Sequence, residues 1–111
     1  MSSSSARQEQ RFPLSLPIRF LGSGVAGEGR LHDLSLSGGR IVGDVPVSVG
    51  MSLVARVWLA GDGKPLELDE VQVQWVNGLE FGVAFRRMPD VVGERLNQAI
   101  LELAQHHLGS K

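Results

Sequence analysis

Cysteine is absent from all 111 residues, which removes a disulfide framework, a thiolate metal site and a cysteine nucleophile in one step. Histidine is nearly as scarce. Of the three, His106 and His107 are adjacent, so a structural zinc site has too few ligands at workable spacing. Tyrosine is missing, lysine is confined to Lys64 and Lys111, and the formal net charge is -1. A groove for long nucleic acid needs basic surface with interleaved aromatics, so DNA and RNA are not expected partners. No apolar run nears the roughly 20 residues that span a bilayer. The opening M-S-S-S-S-A-R-Q-E-Q also has no apolar core of the kind a secretory signal carries. No membrane insertion and a cytoplasmic location are the expectations.

What is present reads as one small domain, 42% hydrophobic and 21% charged. Residues 1–12 hold four consecutive Ser and then Arg7, Gln8, Glu9, Gln10 and Arg11, with nothing apolar larger than Ala before Phe12. This segment is expected to be flexible. Arg7 and Arg11, four apart, share a side in a helix or an extended chain. Alone, such a pair is solvated charge.

From residue 13 to 88 the period is two. Leu14, Leu16, Ile18 and Phe20 alternate with Ser15, Pro17 and Arg19, and Pro17 places this run at an edge or turns it outward. Gly27 to Asp33, Arg40 to Val42, Met51 to Ala60, residues 66–77 and Glu80 to Met88 follow as strands. G-S-G at 22–24, G-D-G at 61–63 and Asn77-Gly78 supply turns. In the fifth run Val71, Val73 and Trp75 are expected on one face; in the sixth, Phe81, Val83 and Phe85 point inward. Trp58 and Trp75 are expected in the core or the barrel wall. Over residues 89–111 the period changes to that of a helix, with Val92, Leu96 and Ile100 as its apolar stripe, then Leu103 or Ala104, and Asp90 as its N-cap. Strands joined mainly by short turns and closed by one helix describe an all-β, small antiparallel barrel with a C-terminal α-helix.

The densest chemistry lies in His32 to Gly39, H-D-L-S-L-S-G-G. Asp and Ser bond to nearby amides, and Gly permits close approach. Catalysis is not expected there, because His32, Asp33 and Ser35 or Ser37 are too close in the chain for triad geometry. Binding accounts for the same residues more economically.

R-Q-E-Q-R (Arg7 to Arg11) before the first strand and D-L-S-L-S-G (Asp33 to Gly38) after the second resemble the R-x-x-x-R and [D/N]-x-S-x-x-G signature of PilZ domains, bacterial receptors for cyclic di-GMP. Q-W-V at Gln74 to Val76, L-E-F-G-V-A-F at Leu79 to Phe85 and the final helix are similar as well, so the resemblance covers the whole chain. It implies a stand-alone, six-stranded barrel whose ligand is cyclic di-GMP, with no cofactor, no metal and no enzymatic activity. It also implies that Arg7 and Arg11 grip phosphates and guanine edges. Asp33 and Ser35 would bond to a guanine, Gly38 would allow the ligand close, and Arg40 and Arg86 are secondary candidates. An unidentified effector protein would then read the ordering of the N-terminal segment, in motility or biofilm signalling. The competing expectation is a nucleotide-independent adaptor in pilus assembly or motility.

Overall fold

Alternating apolar residues pay off only when one face of every strand meets a common core, and closing the sheet on itself does this for six strands at once. The structure, a computed structural model, describes residues 15–59 and 64–109, with side chains through residue 102. Its elements are β1 (Leu16–Gly22), β2 (Val25–His32), β3 (Gly38–Gly43), β4 (Ser52–Trp58), β5 (Pro65–Asn77), β6 (Glu80–Arg87) and α1 (Asp90–Gly109). The strands form a closed antiparallel barrel in the order β1-β2-β3-β6-β5-β4, sealed by the β1–β4 ladder.

Closure changes the status of Pro17. Its strand is paired on both sides and is not an edge, yet the ladder to β4 runs only from Ile18 to Leu21. Pro17 stands exposed beyond that ladder, where a missing N–H breaks no β1–β4 bond. The expected outward placement holds, and the edge does not.

Inward residues from all six strands form one cluster. Phe20 and Phe81 meet edge to face, with centroids 5.4 Å apart and planes at 80°, at its middle. Each is at most 1% exposed, and burying a side chain of this size contributes about 1.5–3 kcal/mol. The helix joins the cluster through Leu96, 1% exposed, with Val92 and Ile100 packed alongside. Arg95 fastens it by donating to the carbonyls of Pro65 (3.3 Å) and Lys64 (3.5 Å) at the start of β5. The first helical bond runs from Gly93 N to the Pro89 carbonyl, so Pro89 occupies the cap position assigned to Asp90. Asp90 instead lies in the first turn, where its charge suits the positive end of the helix dipole. Leu103, Ala104, His106, His107 and the G-D-G turn fall outside the described side chains or residues.

Two of the register shifts in the sheet, both in the β5–β6 ladder, redirect side chains. On β6, Glu70 pairs with Arg87 and Val71 with Phe85, leaving Arg86 as the extra residue. On β5, Val73 pairs with Val83 but Trp75 with Gly82, so an extra residue enters at Gln74 and inverts the faces beyond it. Trp75 therefore leaves the inward set of Val71 and Val73, both 1% exposed, and stands on the outer wall at 43%. Val76 takes the inner position and packs against the core. The hairpin turn is Gly78-Leu79, one residue later than the expected Asn77-Gly78, with Asn77 paired to Glu80 and Gly78 at φ 68°. A glycine first in a two-residue loop is the pattern of a type II′ turn.

Candidate functional site

The loop between β2 and β3 must reverse the chain within a few residues, since His32 and Arg40 are register partners. It begins at Asp33 with φ 53°, a left-handed conformation that Asp tolerates better than most side chains. Leu34 then drops into the core at 1% exposure and anchors the loop, while Leu36 points out. Ser35, also 1% exposed, ties the turn together from inside. Its N–H donates to the Gly38 carbonyl at 2.9 Å, its hydroxyl donates to the same carbonyl at 3.3 Å, and Oγ accepts from the Ser37 N–H at 3.3 Å. The Ser37 carbonyl accepts from the Phe85 N–H at 2.8 Å, fixing the loop to β6. Gly38 is held where a Cβ would collide with the Val83 carbonyl. Only glycine lets β3 and β6 come this close.

This loop forms one wall of a cleft of about 420 Å³ on the outside of the barrel. Asp33, Ser37, Gly38, Gly39 and Arg40 line that side, and Gln74, Trp75, Gly82, Val83 and Ala84 line the other. The β5 bulge makes the second wall by laying the Trp75 ring over Gly82, where a Cβ would fall inside the indole. An isolated glycine in a strand is the signature of such an approach.

Arg40 holds the polar end. Its Nε donates to Asp33 Oδ2 at 2.7 Å and its NH1 to Glu80 Oε2 at 2.8 Å, and all three side chains are about a third exposed. The hydrogen bond to Asp33, followed by that to Glu80, raises the Arg40 pKa, so the guanidinium is charged throughout the pH range of the fold. An indole face, a carboxylate and a guanidinium on one open wall suit a planar heterocycle with hydrogen-bond donors on its edge.

Of the sequence-predicted residues, the structure brings Asp33, Gly38 and Arg40 together at the cleft. Ser35 lies beneath it, with its hydroxyl engaged in the turn. Arg86 is exposed on the β6 bulge and does not line the cleft. Arg7 and Arg11 lie outside the described residues. Trp75, Gln74 and Glu80 were not among the predicted site residues. The available signal for Trp75 is Gly82, set between Phe81 and Val83 in the apolar stretch Phe81 to Phe85. Among the described residues no group of three or more His, Asp or Glu is arranged to hold a metal, and no helix is long and apolar enough to cross a membrane.

Comparison with known proteins adds family and fold. The model of the PilZ domain matches residues 5–102. No curated protein matches the chain. Among solved structures, the PilZ domain of CeSA from a cellulose-synthesizing bacterium superposes with a TM-score of 0.68 at 16% identity, covering 85% of this chain and 97% of that one. At that identity the likeness shows the shared fold.

Proposed function

The chain belongs to the PilZ domain family, whose members are non-catalytic receptor modules for cyclic di-GMP, and we propose that this member binds cyclic di-GMP at the β3–β6 cleft. The observation that supports this reading is the convergence of Asp33, Arg40 and Trp75 on one outer wall, from three strand regions, around the D-x-S-x-x-G loop. The ligand has two guanines and two phosphates. Asp33 accepts from a guanine N1–H and N2–H edge, Trp75 offers its indole face to a base, and Arg7 and Arg11 bind phosphates and the O6/N7 edge. Ser35 and Gly38 serve by shaping the loop as well as by proximity, and Arg86, two residues beyond Ala84 on β6, is the outermost candidate. Stacking of a base on an aromatic side chain contributes about 1–3 kcal/mol.

The relay follows from the position of the arginine pair. Once both guanidiniums are bonded to the ligand, residues 1–12 take one fixed course over the barrel and present a new surface to an effector protein. Isothermal titration with cyclic di-GMP, with GTP and cyclic di-AMP as controls, tests the receptor reading. Saturable binding of cyclic di-GMP alone is expected. Absence of binding by a second method as well would leave the barrel as a nucleotide-independent adaptor. For the relay, backbone relaxation of residues 5–11 equal with and without ligand would refute ordering.

A further inference from the structure

Arg40 faces the cleft, but its charge is already committed. Two carboxylates, Asp33 and Glu80, flank one guanidinium at 2.7 and 2.8 Å, so the three groups together carry one negative charge in excess. Arg40 gives two of its five N–H donors to these carboxylates, so a phosphate brought to it would also meet their negative charge. Its geometry is better explained another way. Register places Arg40 opposite Gly82 on β6 and beside His32 on β2, so its side chain bridges the outer wall between the Asp33 loop and the next outward position of β6, Glu80. Glu80 comes from 40 residues along the chain and stands at the start of β6, directly after the Gly78-Leu79 turn. The guanidinium holds Nε and NH1 in one rigid plane, so its two bonds couple the positions of the Asp33 and Glu80 carboxylates.

Resting on the receptor reading above, we propose that Arg40, braced by Glu80, is a positioning residue that orients the Asp33 carboxylate toward a guanine edge and so sets the preference for guanine. A carboxylate has about four lone-pair sites on two oxygens, so Oδ2 can keep the Arg40 bond while the group accepts the paired N1–H and N2–H of guanine. Asp33 opens the loop at φ 53°, and the 2.7 Å bond from Arg40 Nε ties its carboxylate to β3. Hypoxanthine, which keeps N1–H but lacks the 2-amino group, offers one of the two donors.

The test compares cyclic di-GMP with its hypoxanthine counterpart, cyclic di-IMP, by isothermal titration of the full chain. The wild type is expected to favour the guanine ligand about tenfold, the discrimination of one bidentate base contact. Arg40→Ala should weaken cyclic di-GMP about tenfold, change cyclic di-IMP little, and bring the ratio to within about twofold. Arg40→Lys, which keeps the charge without the rigid fork, should not restore the ratio, and Glu80→Gln should lower it about threefold. Thermal unfolding checks each fold; if Arg40→Ala does not fold, Arg40→Lys and Glu80→Gln carry the comparison. Equal weakening of both ligands by Arg40→Ala would make Arg40 a phosphate contact or a general electrostatic aid and overturn the positioning role. So would an unchanged ratio, or a ratio fully restored by lysine. A wild type that binds neither ligand would overturn the receptor reading itself, and this inference with it.

Discussion

Two concave regions of the barrel's outer wall contrast with each other, and the larger is chemically the plainer. A groove of about 680 Å³ crosses β2, β1, β4 and β5, against 420 Å³ for the cleft at β3 and β6. Its polar residues form a regular cross-strand row. Glu28 pairs with Arg19 at 3.3 Å and Glu67 with Arg56 at 3.4 Å, and the two arginines stand opposite each other in register. All four side chains are more than 60% exposed, so solvent screens these contacts and each contributes at most about 1 kcal/mol. The smaller cleft is irregular throughout. It has a left-handed Asp, a bulge that inverts a strand face, two glycines that admit no Cβ, and a half-buried guanidinium bonded to two carboxylates. A left-handed non-glycine residue costs free energy, of order 1–3 kcal/mol, and such residues cluster at binding sites. Volume and local irregularity with short polar contacts therefore rank these two regions in opposite orders.

Substitutions can break that contrast, and the largest effect is expected at the arginine pair. Arg7→Ala or Arg11→Ala should weaken cyclic di-GMP at least a hundredfold, about 3 kcal/mol, through loss of charge-assisted bonds, while the unliganded thermal midpoint stays unchanged. Titration and calorimetry of the same samples separate the two effects. Next comes Gly38→Ala, which forces a methyl against the Val83 carbonyl; chemical denaturation should show about 2–3 kcal/mol of lost stability. Trp75→Ala removes the base platform without opening the core and should cost about 1–2 kcal/mol of binding, read as a tenfold weaker dissociation constant. An unaltered constant would return Trp75 to the role of a cover for Gly82. The smallest effect sharpens the comparison from the other side. Arg19→Ala in the large groove should leave binding unchanged and shift stability by no more than about 1 kcal/mol, because its contacts, to Glu28 and over the Trp58 ring at 5.8 Å, lie at an exposed surface.

Much of this architecture was legible along the chain. Leu53, Ala55 and Val57 are buried as their alternation requires, Leu96 is the helix's anchor, and the D-L-S-L-S-G-G stretch does form the sharp loop between β2 and β3. Trp75 was assigned to the wrong face for a definite reason. Periodicity extends a strand's pattern until something interrupts it, and nothing in V-Q-V-Q-W-V announces that the extra residue enters at Gln74. The motif places Ser35 at the ligand, and the fold adds a role that the motif does not show, a buried hydroxyl that closes the turn. Glu80 went unnoticed because its partner is 40 residues away.

Alternation and turn residues were enough for a small antiparallel barrel, a final helix and a loop rich in acceptors, and the resemblance carried by the motif residues supplied the family and its six strands. These depend on preferences that act within a few neighbouring residues. Which outward side chains share a cleft was decided only by the tertiary structure. β3 lies between β2 and β6 in the closed barrel, and a single bulge on β5 reverses the exposure of Trp75 and Val76. Strand order and register arise from long-range pairing, so the Asp33–Arg40–Glu80 bridge and its indole wall exist only once the barrel has closed.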